Sequence, residues 1–161
     1  MSGGTELVVN GTRRTLQGRE DAPLLYALRN ELGLKGSRFG CGHQLCGACM
    51  VLVEGEPAYS CALPLWAAAG KAVTTVEGLG SPDAPHPLQT AFLAEQAGQC
   101  GYCLSGVLIS AAALLARNPT PSRKQVAAAL DPHLCRCGAH NRIIRAVLRA
   151  AEAMRTGSQA A

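Results

Sequence analysis

The apolar positions change their period near the middle of the chain. In the first half they come in short runs broken by turn residues. Leu7 to Val9, Asn10-Gly11 and Thr12 to Leu16 predict a hairpin, because Asn-Gly accepts the positive φ angles of a type I′ turn. Asp21 and Pro23 mark a helix start. Leu24, Leu25, Leu28 and Leu32 give that helix an apolar face, and Gly33 and Gly36 stop it. Met50 to Val53, a turn at Glu54-Gly55 and Pro57 to Ser60 predict a second strand pair, and Ala72 to Val76 a further short strand. The pattern is a small mixed sheet crossed by one helix, with a glycine- and cysteine-rich loop from Gly36 to Ala48.

Residues 78–87, GLGSPDAPHP, are rich in glycine and proline and read as a linker. Beyond them the period is helical. Helices are expected over Pro87 to Gln96, Leu104 to Arg117, Ser122 to Leu130 and Asn141 to Met154. Asn118-Pro119 stops the second, Ser122 caps the third, and Ile143, Ile144, Val147, Leu148 and Ala151 share one face of the fourth. Strands followed by helices make the fold class α+β, with two domains in series. The expected division is 1–77 for the sheet domain, 78–87 for the linker, 88–155 for the helical domain and 156–161 for a frayed tail.

Composition narrows the function. Of 161 residues, 48% are hydrophobic and only 16% charged, which speaks against long disorder. Aromatics at 4% and a net charge of +4 are too little for a base-stacking or phosphate-tracking surface, so no nucleic-acid partner is expected. The longest apolar stretch, Gly106 to Ala116, is far short of the roughly 20 residues that span a bilayer, so no direct membrane span is expected. Arg13-Arg14 lacks the apolar stretch of an export signal. The expected compartment is therefore the cytoplasm, or the membrane or periplasm through a partner. In a reducing compartment the eight cysteines read as metal ligands rather than disulfides.

The cysteines divide four and four across the linker. Cys41, Cys46, Cys49 and Cys61 follow C-x4-C-x2-C with a distant fourth, the plant-type spacing for a [2Fe–2S] cluster. In FGCGHQLCGAC, Gly40, Gly42 and Gly47 let the backbone turn tightly and aim amides at the sulfurs. Cys100, Cys103, Cys135 and Cys137 form the second set, at two helix starts whose free N–H groups face an anionic centre. Taken alone this set leaves zinc open, although C-x-C is unusual in structural zinc sites. Beside a ferredoxin-type loop it favours a second [2Fe–2S] cluster.

Other chemistries find less support. Cys-Gly-Tyr-Cys at 100–103 follows a helix rather than a strand, unlike a thioredoxin-type dithiol. No histidine sits in a recognisable nucleophile context. His43 and His140 read as loop or capping residues, His86 as a solvated linker residue, and Trp66 and Tyr102 as packing residues. There is no P-loop and no G-x-G-x-x-G after a strand, so no nucleotide site.

Taken together, FGCGHQLCGAC, Ser60-Cys61, QCGYC at 99–103 and LCRCG at 134–138 resemble the small iron–sulfur subunit of the xanthine oxidase family of molybdenum hydroxylases. The resemblance runs from about Leu7 to Ala153. It implies a ferredoxin-like β-grasp domain and a four-helix domain, each with one [2Fe–2S] cluster. It implies no catalytic residue in this chain. The partner it implies is a large catalytic subunit holding molybdopterin, expected in the cytosine dinucleotide form, which Gln99 and the backbone at Cys137 would approach. The helical-domain cluster would be the inner one and the ferredoxin-type cluster the outer, passing electrons to a c-type cytochrome or an FAD subunit.

Met50 stands where many members have threonine, and CRCGAHNRI where many have CRCTGY. The latter, with TTVEGLG at 74–80 and APHP at 84–87, resembles the bacterial branch acting on N-heteroaromatics, such as the small subunits of nicotinate dehydrogenase and isoquinoline oxidoreductase. The small subunit of a molybdenum aldehyde dehydrogenase is the alternative within the family. A free-standing ferredoxin-like carrier is the alternative outside it.

Overall fold

A computed structural model describes residues 4–158. Strands β1 (Thr5–Val9) and β2 (Thr12–Leu16) pair antiparallel, with Asn10 and Gly11 at φ 50° and 77° as the turn requires. Strands β3 (Met50–Val53) and β4 (Glu56–Tyr59) form a second antiparallel pair. Strand β5 (Ala72–Thr74) joins the two hairpins, parallel to β1 and antiparallel to β3. The sheet order is β2-β1-β5-β3-β4. Leu7, Val9, Val51 and Val73 point to one face, where helix α1 (Leu24–Asn30) lays Leu24 and Leu28 on them. Each such leucine contributes about 1.5–3 kcal/mol by leaving water.

Several features of this half differ from the sequence expectation. Helix α1 ends before Leu32, and the Glu31 carboxylate instead accepts the amides of Gln17 and Gly18 at 2.6 and 3.1 Å. Strand β5 stops at Thr74 because the Asn10 side chain clamps Thr75, accepting its N–H at 2.9 Å and donating to its hydroxyl at 3.0 Å. Residues Leu65–Ala68 form a 3₁₀ turn that no periodicity announced, with Leu65 and Ala68 buried.

The second half holds helices α2 (Pro87–Ala94), α3 (Leu104–Arg117), α4 (Arg123–Leu130) and α5 (His140–Ser158). Ala111, Ala146 and Ala150 are fully buried, so the helices approach closely around Leu88, Val107 and Val126. Helix α5 runs past Met154, so Thr156 to Ser158 are helical; residues 159–161 of the expected tail lie outside the described residues. Helix α3 also packs against β3, which holds the two halves together.

Candidate metal centres

The loop before β3 folds back on itself. The N–H of Arg38 donates to the carbonyl of Ala48 at 3.0 Å. Inside that closure the amides of His43 and Leu45 each lie 3.3 Å from the Cys41 sulfur, and the Cys41 amide lies 3.4 Å from the Cys46 sulfur. These amides, that of His43 foremost, draw the Cys41 thiol down to about 7. Gly42 and Gly47 take φ 70° and 72° to make the turns, and a Cβ at Gly40 would stand 2.6 Å from the Cys46 sulfur. Cys49 is buried at the loop's end, where the Ser60 hydroxyl donates to its carbonyl at 2.6 Å. Cys61 follows, and Leu25 and Tyr59 pack against the pair. Burial pushes the Cys49 thiol up to about 12.

The second set sits at two helix entrances. Cys103 is the residue before α3, and Cys137 lies in the turn leading to α5. Cys100 is exposed and its thiol is lowered, first by the Tyr102 amide and then by the Cys137 side chain. Cys103 is buried and pushed up to about 12 by burial.

Each set resolves into thiol pairs. Cys41 stands beside Cys46, and Cys49 beside Cys61, with Cys46 within electrostatic reach of Cys49. Cys100 stands beside Cys137, and Cys103 beside Cys135, with Cys100 within reach of Cys103. Among the described residues no three His, Cys, Asp or Glu side chains are grouped to hold a single ion. Four thiols in two adjacent pairs, with amides aimed at the sulfurs, fit a binuclear iron–sulfur core, in which each iron takes two cysteines. The donor chemistry therefore suits [2Fe–2S].

The two sets are joined. The N–H of Leu134 donates to the Cys46 carbonyl at 3.1 Å. Arg38 donates to the Gly101 carbonyl at 2.7 Å and lies over the Tyr102 ring at 5.2 Å, while the Tyr102 hydroxyl donates to the Phe39 carbonyl at 2.5 Å. Tyr102 is thus a bridge between loops rather than simple packing. Sequence reasoning gave no role to Arg38 or His133. Cation–aromatic contact and wedging between loops leave no periodic signal in a chain.

Gln99 is exposed and lines a groove of about 880 Å³ with Phe92, Leu93, Leu104, Leu108 and Arg142. His43 and His140 are exposed beside the cysteines. His86 is not a solvated linker residue: its Nδ1 accepts the Leu88 N–H at 3.1 Å, and Gln89 answers with a bond to the His86 amide at 2.8 Å, capping α2. Trp66 does not pack inward; it is 60% exposed.

Residues 7–74 match the family described as "2Fe-2S iron-sulfur cluster binding domain", and residues 75–148 the family described as "[2Fe-2S] binding domain". The chain is 53% identical to a nicotinate dehydrogenase subunit from Pseudomonas putida over 92% of its length and 95% of that protein's. It is 51% identical to the alpha subunit of isoquinoline 1-oxidoreductase from Brevundimonas diminuta, covering 91% of this chain and 97% of that one. A chain in the crystal structure of quinoline 2-oxidoreductase from Pseudomonas putida 86 superposes with a TM-score of 0.90 at 37% identity, covering 96% of both chains.

Proposed function

Because the chain belongs to the small iron–sulfur subunits of the xanthine oxidase family of molybdenum hydroxylases, we propose that it conducts electrons from a molybdopterin centre in a larger subunit to an external acceptor. The observation that carries this is the division of eight cysteines into two quartets, each made of two thiol pairs, on loops that touch. Cys41, Cys46, Cys49 and Cys61 would hold one [2Fe–2S] cluster, and Cys100, Cys103, Cys135 and Cys137 the other. When bound, each cluster takes up and releases one electron at a time.

The chain's own residues tune that exchange. The His43 and Leu45 amides at the Cys41 sulfur favour added negative charge and raise the potential of the first site. Burial of Cys49 and Cys103 acts against negative charge and keeps water from one side of each site. Gln99, exposed and with two amide donors and one acceptor, would read the edge of a pterin held by the large subunit, and the backbone at Cys137 would lie near the same cofactor. The cytosine dinucleotide form of that cofactor, with a c-type cytochrome or an FAD subunit receiving the electrons, completes the proposed assembly.

The substrate class follows the relatives. Identities above 50% to subunits of nicotinate and isoquinoline enzymes support hydroxylation of an N-heteroaromatic by the partner. Among the described residues no helix is long and apolar enough to cross a membrane. We place the complex in the cytoplasm, or at the membrane or in the periplasm if a partner directs it there.

Anaerobic purification tests the reading. The expected product is red-brown, with about four irons and about four sulfides per chain and two EPR signals after reduction. It should retain a large molybdenum subunit on co-expression. Colourless protein with stoichiometric zinc would overturn the reading.

A further inference from the structure

His133 stands between the two cysteine loops and belongs to neither ligand set. Its side chain is buried, with only 4% of the residue exposed. Nε2 lies 2.7 Å from the Ser110 hydroxyl on α3, and Nδ1 has no hydrogen-bond partner. That unpartnered edge faces Gly47, where a Cβ would sit 2.2 Å from Nδ1. Gly106 on α3 packs directly against the same backbone: a Cβ there would meet the Gly47 carbonyl at 1.9 Å and His133 Cε1 at 3.3 Å. Only two glycines let the ring and these two backbones pack together. The His133 N–H donates to the Leu130 carbonyl at 3.0 Å, so the end of α4 is fastened to the same point. The next amide in the chain makes the 3.1 Å bond to Cys46.

We propose that His133 is the spacer that sets the separation and relative orientation of the two cluster sites, a positioning residue rather than a ligand. This rests on the reading of the two cysteine quartets as cluster sites. The imidazole is rigid and fixed at one end by Ser110. Its other edge bears on the Gly47 backbone, between Cys46 and Cys49. The ring and the Leu134–Cys46 main-chain hydrogen bond are thus the contacts that tie the first loop to the segment leading to Cys135. A side chain that merely filled the volume would lack the Ser110 anchor and let the Leu134–Cys46 bond stretch.

The test uses the full iron-loaded chain and the magnetic interaction between its two reduced clusters, read as splitting of the low-temperature EPR lines. His133→Ala should keep both signals and the full iron content but lose the resolved splitting. His133→Gln, which can still reach Ser110, should restore part of it. Ser110→Ala leaves the ring and both loops intact and should weaken the splitting in the same direction, which carries the test if His133→Ala releases iron. Gly47→Ala should cost less stability in a His133→Ala background than in the parent, because the clash is gone. Splitting unchanged in all three single variants at His133 and Ser110, or strictly additive stability effects, would overturn the spacer role while leaving the cluster assignment standing. Absence of iron in the parent protein would overturn both.

Discussion

The main-chain amide of Leu134 donates to the carbonyl of Cys46 across 3.1 Å, joining the residue before one cysteine pair to a cysteine of the other quartet. Both residues lie in irregular loops, which lack a sheet or helix ladder to hold them. The loops are instead stiffened by the Arg38–Gly101, Tyr102–Phe39 and His133–Ser110 contacts around that bond. The two sites are neighbours in space although about 90 residues of sequence separate Cys46 from Leu134.

The quartets nevertheless pack into separate buried clusters, Cys49 and Cys61 with Leu25 and Tyr59, and Cys103 and Cys135 among the helices. Loss of one ligand should therefore spare the other site. Cys100→Ser is expected to remove one EPR signal and roughly half of the iron, while the second signal persists without its low-temperature splitting. Substrate added to the complex should then no longer bleach the remaining cluster at the parent rate. Two unaltered signals would show that Cys100 is not a ligand.

Gln99 separates docking from metal binding. Its side chain is exposed in the groove beside Leu93, so shortening it removes little packing from this chain. Gln99→Ala should leave iron content and both EPR signals intact while lowering the molybdenum recovered with the complex. Molybdenum analysis after affinity purification reads the effect. Equal recovery from both proteins would remove Gln99 from the cofactor contact.

Helix α4 offers a change confined to stability. The Ser122 hydroxyl accepts the Gln125 N–H at 3.3 Å, and the Gln125 side chain accepts the Ser122 N–H at 2.8 Å. Ser122→Ala leaves the first turn without this acceptor and should cost about 1 kcal/mol. Chemical denaturation should report the loss with both cluster spectra unchanged.

Short-range chemistry of this kind is what the sequence makes legible. Asn10-Gly11 and Glu54-Gly55 announced both hairpins because left-handed turn geometry restricts residue choice. Ser122 announced α4 because caps are local. The division of cysteines into two groups was legible because the spacing within each loop is local. What escaped was long-range: the Asn10 clamp on Thr75 that shortens β5, the Glu31 carboxylate that ties Gln17 and Gly18, and the ring of His133 against Gly47. Each joins residues at least 13 positions apart through one polar or steric contact, and such contacts leave no period.

His86 escaped for a related reason and leads to a pH dependence. Its Nδ1 accepts the Leu88 N–H, so the cap requires a neutral ring at that nitrogen. Burial lowers its pKa below the ordinary value of 6.5. The folded state therefore binds the proton less readily than the unfolded chain. The cap's contribution is complete above about pH 6.5, the unfolded value, and is lost as pH falls through the lower folded value. Protonation would also place a cation at the positive end of α2, an effect of the same sign. His86→Asn keeps a side-chain acceptor that does not titrate. Its stability should match the parent near pH 8 and exceed it increasingly as the solution is acidified toward pH 5, measured by denaturation at each pH. Parallel pH profiles for the two proteins would show that the His86 cap contributes nothing to the acid response.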